Sequence, residues 1–413
     1  MSDRSQGGRN PAADASPRRG AIAAAGFAMQ LAFGSVYGWS VFLNPLRDLY
    51  GASRAEVGFT FTLTLVTLGL TAALGGALQA RLGPRRAATL AGLLYGAGVA
   101  LSGFTPSLPA LYLTYGVLGG VGLGLGYIVP LAVLIPWFPD RRGFITGLAV
   151  AGFGSGALVS SPLAAALIAT AGVRPTFVAL GVAYLIVVVV AAQVLRTAPA
   201  GYAPPGWAPL HEAAEPARGT ALGEALRRPL WFLLWLVLAL NVSAGAALLS
   251  VAAPLTQELS GVSAAAAAGL VGLLSVANGV GRLAWGSLSD RIGRAPAFLG
   301  LLALQLPAFA AVALGEGFPV LAAGAAVIAL CYGGGFGVMP AWVADAFGAR
   351  SAGPIYGAML TAWSAGAILG PVLITALPYR TALLVLLALL ALLAAALPLP
   401  LMAAAQARRA DGR

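Results

Sequence analysis

Lysine is absent from the 413 residues, and all 24 basic side chains are arginine. That excludes a Walker A phosphate loop, a retinal or pyridoxal Schiff base and a lysine nucleophile. A single cysteine, Cys331, excludes an internal disulfide, and a single histidine, His211, excludes a His/Cys metal cluster. Charge is scarce as well. Only 9% of the residues are charged and 59% are hydrophobic, whereas soluble domains carry roughly 25% charged residues. So few charges cannot cover a water-facing surface. The mean hydropathy of +0.88 agrees, and the chain reads as a polytopic membrane protein.

Apolar stretches of membrane length fall near residues 21–43, 55–79, 86–105, 110–133, 143–167 and 174–196. A second set falls near 229–252, 263–287, 295–315, 318–341, 351–377 and 379–405. The expected fold is therefore an all-α membrane protein of twelve transmembrane helices. It divides into a tail (1–20), a six-helix bundle (21–196), a linker (197–228), a second bundle (229–405) and a short tail (406–413). The linker is rich in Pro, Gly, Ala and charge, including Tyr202-Ala203-Pro204-Pro205-Gly206-Trp207. It has too little apolar surface for a core of its own. The first 20 residues are polar, and the run after them is too long for a signal-peptide core, so it is expected to stay as a helix.

Arginine placement predicts orientation. With the N-terminus cytoplasmic, the tails and even-numbered loops hold 19 arginines, and the opposite loops hold only Arg47, Arg54, Arg174 and Arg380. Such a bias places both termini in the cytoplasm. It accounts for the net charge of +11 without nucleic acid. The remaining arginine, Arg282, falls inside the eighth span.

The halves repeat with an offset near 209 residues. Pro45 pairs with Pro254, Gly83 with Gly293, Arg142 with Arg350 and Pro162 with Pro371. Six spans per copy give both copies the same orientation, so the repeat is parallel. Two parallel six-helix repeats with a substrate site between them are the plan of major facilitator transporters.

The loop Gly286-Ser287-Leu288-Ser289-Asp290-Arg291-Ile292-Gly293-Arg294 resembles the superfamily pattern G-x-L-x-D-R-x-G-R. Its first-half copy runs from Gly76 to Arg86 and keeps Arg81, Gly83 and Arg85, but has Ala80 at the acidic position. A narrower resemblance is to monocarboxylate porters and oxalate/formate antiporters. It is carried by Trp137-Phe138-Pro139-Asp140-Arg141-Arg142-Gly143 before span 5 and by Tyr37-Gly38-Trp39 with Asn44-Pro45 in span 1. Asn278-Gly279-Val280-Gly281-Arg282 in span 8 belongs to it as well. The resemblance covers nearly the whole chain. It implies secondary active transport of a small monocarboxylate of the lactate or pyruvate kind, in the plasma (inner) membrane. No clustered catalytic or metal-ligating residues stand in the sequence, so no catalysis, cofactor or metal is expected. Proton symport is the first expectation for coupling, with exchange of the oxalate/formate type the alternative. A transporter-shaped sensor is disfavoured by the short linker. Besides lipid, the expected partners are the carboxylate and protons, with the monomer as the working unit.

Arg282 is the most informative residue. A guanidinium at membrane depth costs several kcal/mol on insertion scales, so it should face an interior cavity, where its planar fork suits a carboxylate. Asn278 lies one turn earlier on the same face and can orient it without neutralising it. The resemblance implies that Arg282 binds the substrate carboxylate. In span 11, oxalate transporters place a lysine where Trp363 stands here. One cation instead of two leaves part of a dianion unpaired, which favours a monocarboxylate with an apolar body.

Tyr37, Trp39, Tyr127, Phe153, Tyr332 and Phe336 are expected to line the cavity, with Tyr127 and Tyr332 as phenol donors. Gating is expected from Asp290, Arg291, Arg294, Arg81, Arg85, Arg141 and Arg142, with Asp290 pairing with a helix N-terminus or with Arg141 and Arg142 across the interface. Asp48, Glu258, Glu316 and Asp345 read as solvated charges near span ends, and no acid falls deep within a span. Glycine series such as Gly116 to Gly126 and Gly152 to Gly156 should let helices approach closely.

Overall fold

The structure is a computed structural model that describes residues 11–138, 142–199, 202, 204, 220–348 and 352–396. His211, Arg141 and Arg350 lie outside the described residues, as do the side chains of Ala80 and Arg142. The described residues with regular structure are helical.

Span 1 comprises Pro11–Phe33, the tight 3-10 turn Gly34–Gly38, and Ser40–Tyr50. Spans 2 and 3 are Arg54–Leu82 and Pro84–Ser102. Span 4 joins Leu108–Leu111, the wide π-helical Tyr112–Gly119 and Gly120–Trp137. Span 5 is Arg142–Gly154 followed by Ala157–Ala171, and span 6 is Val173–Val194. In the second half, spans 7 to 10 are Pro229–Ser260, Ala264–Ile292, Arg294–Leu314 and Phe318–Phe347. Span 11 is Ala352–Met359 with Thr361–Ala376, and span 12 is Tyr379–Ala396. Among the described residues, eleven helices are long and apolar enough to cross a membrane. The other element, span 3, is 19 residues long and opens with Arg85 and Arg86 in its first turn.

The repeat is visible in how helices start and stop. Gly51 and Gly261 end their helices at φ 61° and 66°. Two residues on, Ser53 and Ser263 cap the next helix, each accepting from a backbone N–H at 3.2 Å. Gly83 and Gly293 sit at φ 75° and 92° in the two matching loops. A side chain is strained there, which explains why both copies keep glycine.

The halves meet along two seams. Span 2 packs on span 11, where Ser364 Oγ donates to the Val66 carbonyl at 2.8 Å. Span 5 packs on span 8 at the break in span 5. There Ser275 Oγ accepts from the Ala157 N–H at 2.9 Å and donates to the Gly154 carbonyl at 2.6 Å. A side chain from one half thus supplies the hydrogen bonds that the broken helix of the other half lacks. Ser275→Ala should remove both bonds and cost about 1–3 kcal/mol of stability, readable as a lower unfolding temperature in detergent.

At the arginine-poor end, Arg54 crosses from the first half to the second. It donates to the Leu377 carbonyl at 3.0 Å, pairs with Glu258 at 3.7 Å, and lies 4.0 Å over the Tyr379 ring. Glu258 is half-exposed, as its place near a span end suggests, and is also an inter-half partner. Arg54→Gln should loosen this end and raise the population opening toward it, by about 0.2–1 kcal/mol for the exposed ion pair alone. Spin-label distances between spans 2 and 7 would follow the change.

Candidate functional site

The chain breaks and the site coincide. Tyr37 lies in the 3-10 turn of span 1, Phe153 just before the break of span 5, and Trp363 just after that of span 11. Interrupted helices turn these side chains inward at the same depth. Spans 4, 8 and 10 supply Tyr127, then Arg282 and Asn278, then Tyr332 and Phe336.

Arg282 does not run out to its helix end. It is 2% exposed and its three nitrogens point three ways. Nε donates to Asn278 Oδ1 at 3.0 Å, Nη1 to the Tyr127 hydroxyl at 3.5 Å, and Nη2 to the Tyr37 hydroxyl at 3.3 Å. The Tyr37 and Tyr332 hydroxyls are hydrogen-bonded to each other at 3.1 Å. Around the fork, the guanidinium carbon lies 4.8 Å from the Phe336 ring centre and 5.7 Å from that of Phe153. Those faces offer cation–π attraction but no charge. Trp363 closes the ring of aromatics, 4.6 Å from Phe336, 5.4 Å from Tyr127 and 5.8 Å from Phe153. Arg282, Asn278, Tyr37, Tyr127, Phe153, Tyr332, Phe336 and Trp363 therefore form one contiguous cluster, whereas Trp39, also expected at the cavity, packs against Tyr115 and Phe42 inside the first half.

The electrostatics are one-sided. Among the described residues, none of the buried polar side chains is an acid, and Arg282 has no carboxylate partner. Within the cluster, two further donors are buried without acceptors. Asn278 Nδ2 is one. The other is the Trp363 indole N–H, which lies toward Tyr332 without a hydrogen bond of good geometry. A lone cation beside two unsatisfied N–H groups is a receptor for an anion, since unmade buried hydrogen bonds and unpaired buried charge are both costly.

Some of the supporting residues are not singled out by the sequence reading. Gln30 in span 1 donates to the Tyr127 carbonyl at 3.2 Å, and Asn241 in span 7 donates to the Tyr332 carbonyl at 3.3 Å. Gln305 holds Asn241 in turn at 3.0 Å. Each half thus uses an amide on its first helix to fix the backbone of the tyrosine on its fourth. The available signal was a lone polar residue in an apolar run, at corresponding depths of the two copies. Asn241→Leu should leave Gln305 Nε2 with only the 3.5 Å contact to the Leu301 carbonyl and cost about 1–3 kcal/mol, and it should weaken ligand affinity more than Gln305→Leu does. Thermal unfolding with and without ligand checks both.

Among the described residues, the expected gating side chains make contacts within their own halves. Asp290 pairs with Arg294 at 2.5 Å, and Arg294 also holds Asp345 at 2.8 Å. The reason is local: the Gly293 turn returns Arg294 to the end of span 8, so the acid is satisfied one turn away. These contacts tie spans 8, 9 and 10 within the second half rather than bridging the halves. Asp345 is an ion-pair partner, not a free solvated charge. Arg85 donates to Gln193 of span 6 at 2.6 Å, inside the first half, while Arg81 and Arg291 are exposed at the ends of spans 2 and 8. Arg141 and the Arg142 side chain fall outside the described residues.

Comparison with known proteins supports the same frame. The family model for the Major Facilitator Superfamily matches residues 22–371 and 243–411. The chain is 30% identical over 352 residues to the MFS-type transporter YhjX of Escherichia coli (strain K12), covering 82% of this chain and 83% of YhjX. It is 30% identical over 360 residues to the oxalate:formate antiporter of Oxalobacter formigenes, covering 85% and 84%. It is also 32% identical over 358 residues to apicoplast pyruvate carrier 1 of Toxoplasma gondii, covering 71% of this chain and 64% of the carrier. Among solved structures, an inward-facing, occupied bacterial homologue of the human lysosomal transporter Spinster superposes with a TM-score of 0.73. It covers 93% of this chain and 97% of that one at 18% identity, and so speaks to the fold. The chain is a multi-pass membrane transporter of the Major Facilitator Superfamily, in the branch that includes the oxalate:formate antiporter, the pyruvate carrier and the monocarboxylate transporters.

Proposed function

We propose that the protein carries a small monocarboxylate, of the size of lactate or pyruvate, by alternating access between its halves. The observation behind this reading is the buried Arg282, which has hydroxyls and an amide oxygen for neighbours and no described acid. A carboxylate would supply the missing charge bidentately. It would also accept from the free N–H of Asn278 or Trp363 and from the Tyr127 hydroxyl. The aromatic wall of Phe153, Phe336 and Trp363 suits a short apolar body. A second carboxylate would meet that wall with no cation to pair it.

Proton symport is the first reading of the coupling, carried over from the resemblance to monocarboxylate porters. The second reading, exchange of one carboxylate for another, is favoured by the lack of a buried acid among the described residues. Uptake of labelled pyruvate or lactate into proteoliposomes tests both. Uptake driven by an inside-alkaline gradient without internal anion supports symport, and uptake that needs internal anion supports exchange. Failure to move any monocarboxylate in either format would refute the proposal. In the proposed orientation both termini are cytoplasmic and the membrane is the inner one, which protease protection of tagged termini in cells would check.

Trp363→Lys should add a second cation to the site. We expect weaker monocarboxylate uptake and new oxalate binding, measured by competition against labelled pyruvate. If oxalate already binds the unmodified protein as tightly as pyruvate, the indole is not the selective element.

A further inference from the structure

A cavity of about 820 Å³ lies outside the central cluster, at the arginine-rich end of the first half, between the start of span 3 and the end of span 6. Arg85, Arg86 and Arg196 line it together with Thr89 and Gln193. Its positions are well held. Gln193 accepts from Arg85 Nε at 2.6 Å and donates to its own helix at the Val189 carbonyl at 2.9 Å. The Arg196 carbonyl is fixed by the Trp137 indole N–H at 2.7 Å. Among the described residues no acid pairs with any of the three arginines. The floor changes character at once: Leu90 and Leu93 line the cavity and are 37% and 45% exposed. Val190, one helical turn before the span's end at Val194, is also exposed. Those side chains belong to spans and face away from the protein, so at that depth lipid is their surroundings. Three arginines at the membrane surface above an open apolar furrow match a molecule with an anionic head and an acyl tail.

We propose that this cavity is a binding site for one anionic phospholipid, with its phosphate between Arg86, Arg196 and Arg85 and an acyl chain along Leu93 and Val190. A soluble phosphate shares the head-group chemistry but not the furrow. The site does not touch Arg282, so it stands whether or not a carboxylate is the cargo.

Native mass spectrometry of the full-length protein in detergent tests the assignment, with dioleoyl phosphatidylglycerol, dioleoyl phosphatidylcholine or sn-glycerol 3-phosphate added. One phosphatidylglycerol should be retained well above the phosphatidylcholine level, and its retention should fall with salt. Arg86→Gln with Arg196→Gln should weaken it on the order of 30-fold, at about fivefold per arginine near a charged head group. The double lysine variant keeps the charge and should keep most of the retention, which guards against loss through misfolding. Unchanged retention in the glutamine variant would overturn the site. So would glycerol phosphate binding as strongly as the lipid, since the pocket would then be one for a soluble phosphate. Equal retention of phosphatidylcholine would also overturn it.

Discussion

Arg282→Lys should fold, insert and lose transport by at least about 30-fold, although it conserves the charge. The three donor directions of the guanidinium serve Asn278, Tyr127 and Tyr37 separately. An ammonium presents its donors from one atom and cannot span the same three acceptors. Breaking a buried, hydrogen-bonded charge contact costs about 2–5 kcal/mol, or roughly 30-fold to several-thousand-fold in affinity. Arg282→Ala should fall at the severe end of that range for binding. Its folding should suffer less, because the variant removes a charge that the protein itself does not pair. Thermal unfolding and pyruvate uptake measured on the same preparation separate the two effects. Near-wild-type uptake by the alanine variant would remove Arg282 from the substrate path.

A single methyl group added at Gly333 should be nearly as disruptive. Spans 8 and 10 touch backbone to backbone through three glycines. A Cβ at Gly281 would lie 1.9 Å from the Leu330 carbonyl oxygen, one at Gly333 2.0 Å from that of Asn278, and one at Gly337 2.1 Å from that of Arg282. Backbone cannot step aside as a side-chain tip can, so the helices must part. Overpacking of this kind typically costs about 1–3 kcal/mol. Here it also shifts the residues that carry the guanidinium, so Gly333→Ala should lose both stability and ligand affinity. Span 8 provides its own control: a Cβ at Gly269 meets nothing within 4 Å. Gly269→Ala should be neutral or stabilise by up to about 1 kcal/mol. Equal unfolding temperatures for the two variants would mean that spans 8 and 10 do not interlock at these glycines.

Much of this site was readable before any coordinates because membrane burial makes polar residues expensive. Arg282 and Asn278 stand out in an apolar run, and the aromatics near glycines follow from resemblance at matching depths. Trp363 depended on the register of one helix, and its place among Tyr127, Phe153 and Phe336 agrees with that register. What could not be read was partner choice at the helix ends. Asp290 had several cations within reach in sequence terms, and the Gly293 turn decides for Arg294. Arg54 looked like one of four stray charges on the arginine-poor side, yet it bridges the halves. Hydropathy patterns fix which segments cross the bilayer, but they carry no information about which loop residue faces which. The amide supports, Gln30 and Asn241, were missed for another reason. The carbonyls they hold leave no trace in side-chain identity, so only a lone polar residue in an apolar run marks them.

The unpaired guanidinium also sets how tightly the transport cycle should be coupled. Between its two open states the carrier must pass through an arrangement in which Arg282 is shut away from water. Without an anion, that passage strands a bare positive charge in a poorly polarisable interior, at a cost of several kcal/mol after relaxation. With a carboxylate and no proton in place, as in the exchange reading, the same passage is electroneutral at the site. The loaded carrier should therefore turn over faster than the empty one, so that self-exchange of labelled for unlabelled substrate outruns net flux. The membrane potential should act mainly on the empty half of the cycle, where a full crossing of one charge is worth about 2.3 kcal/mol per 100 mV. A residue that selects the cargo would then also suppress slippage, through its charge alone.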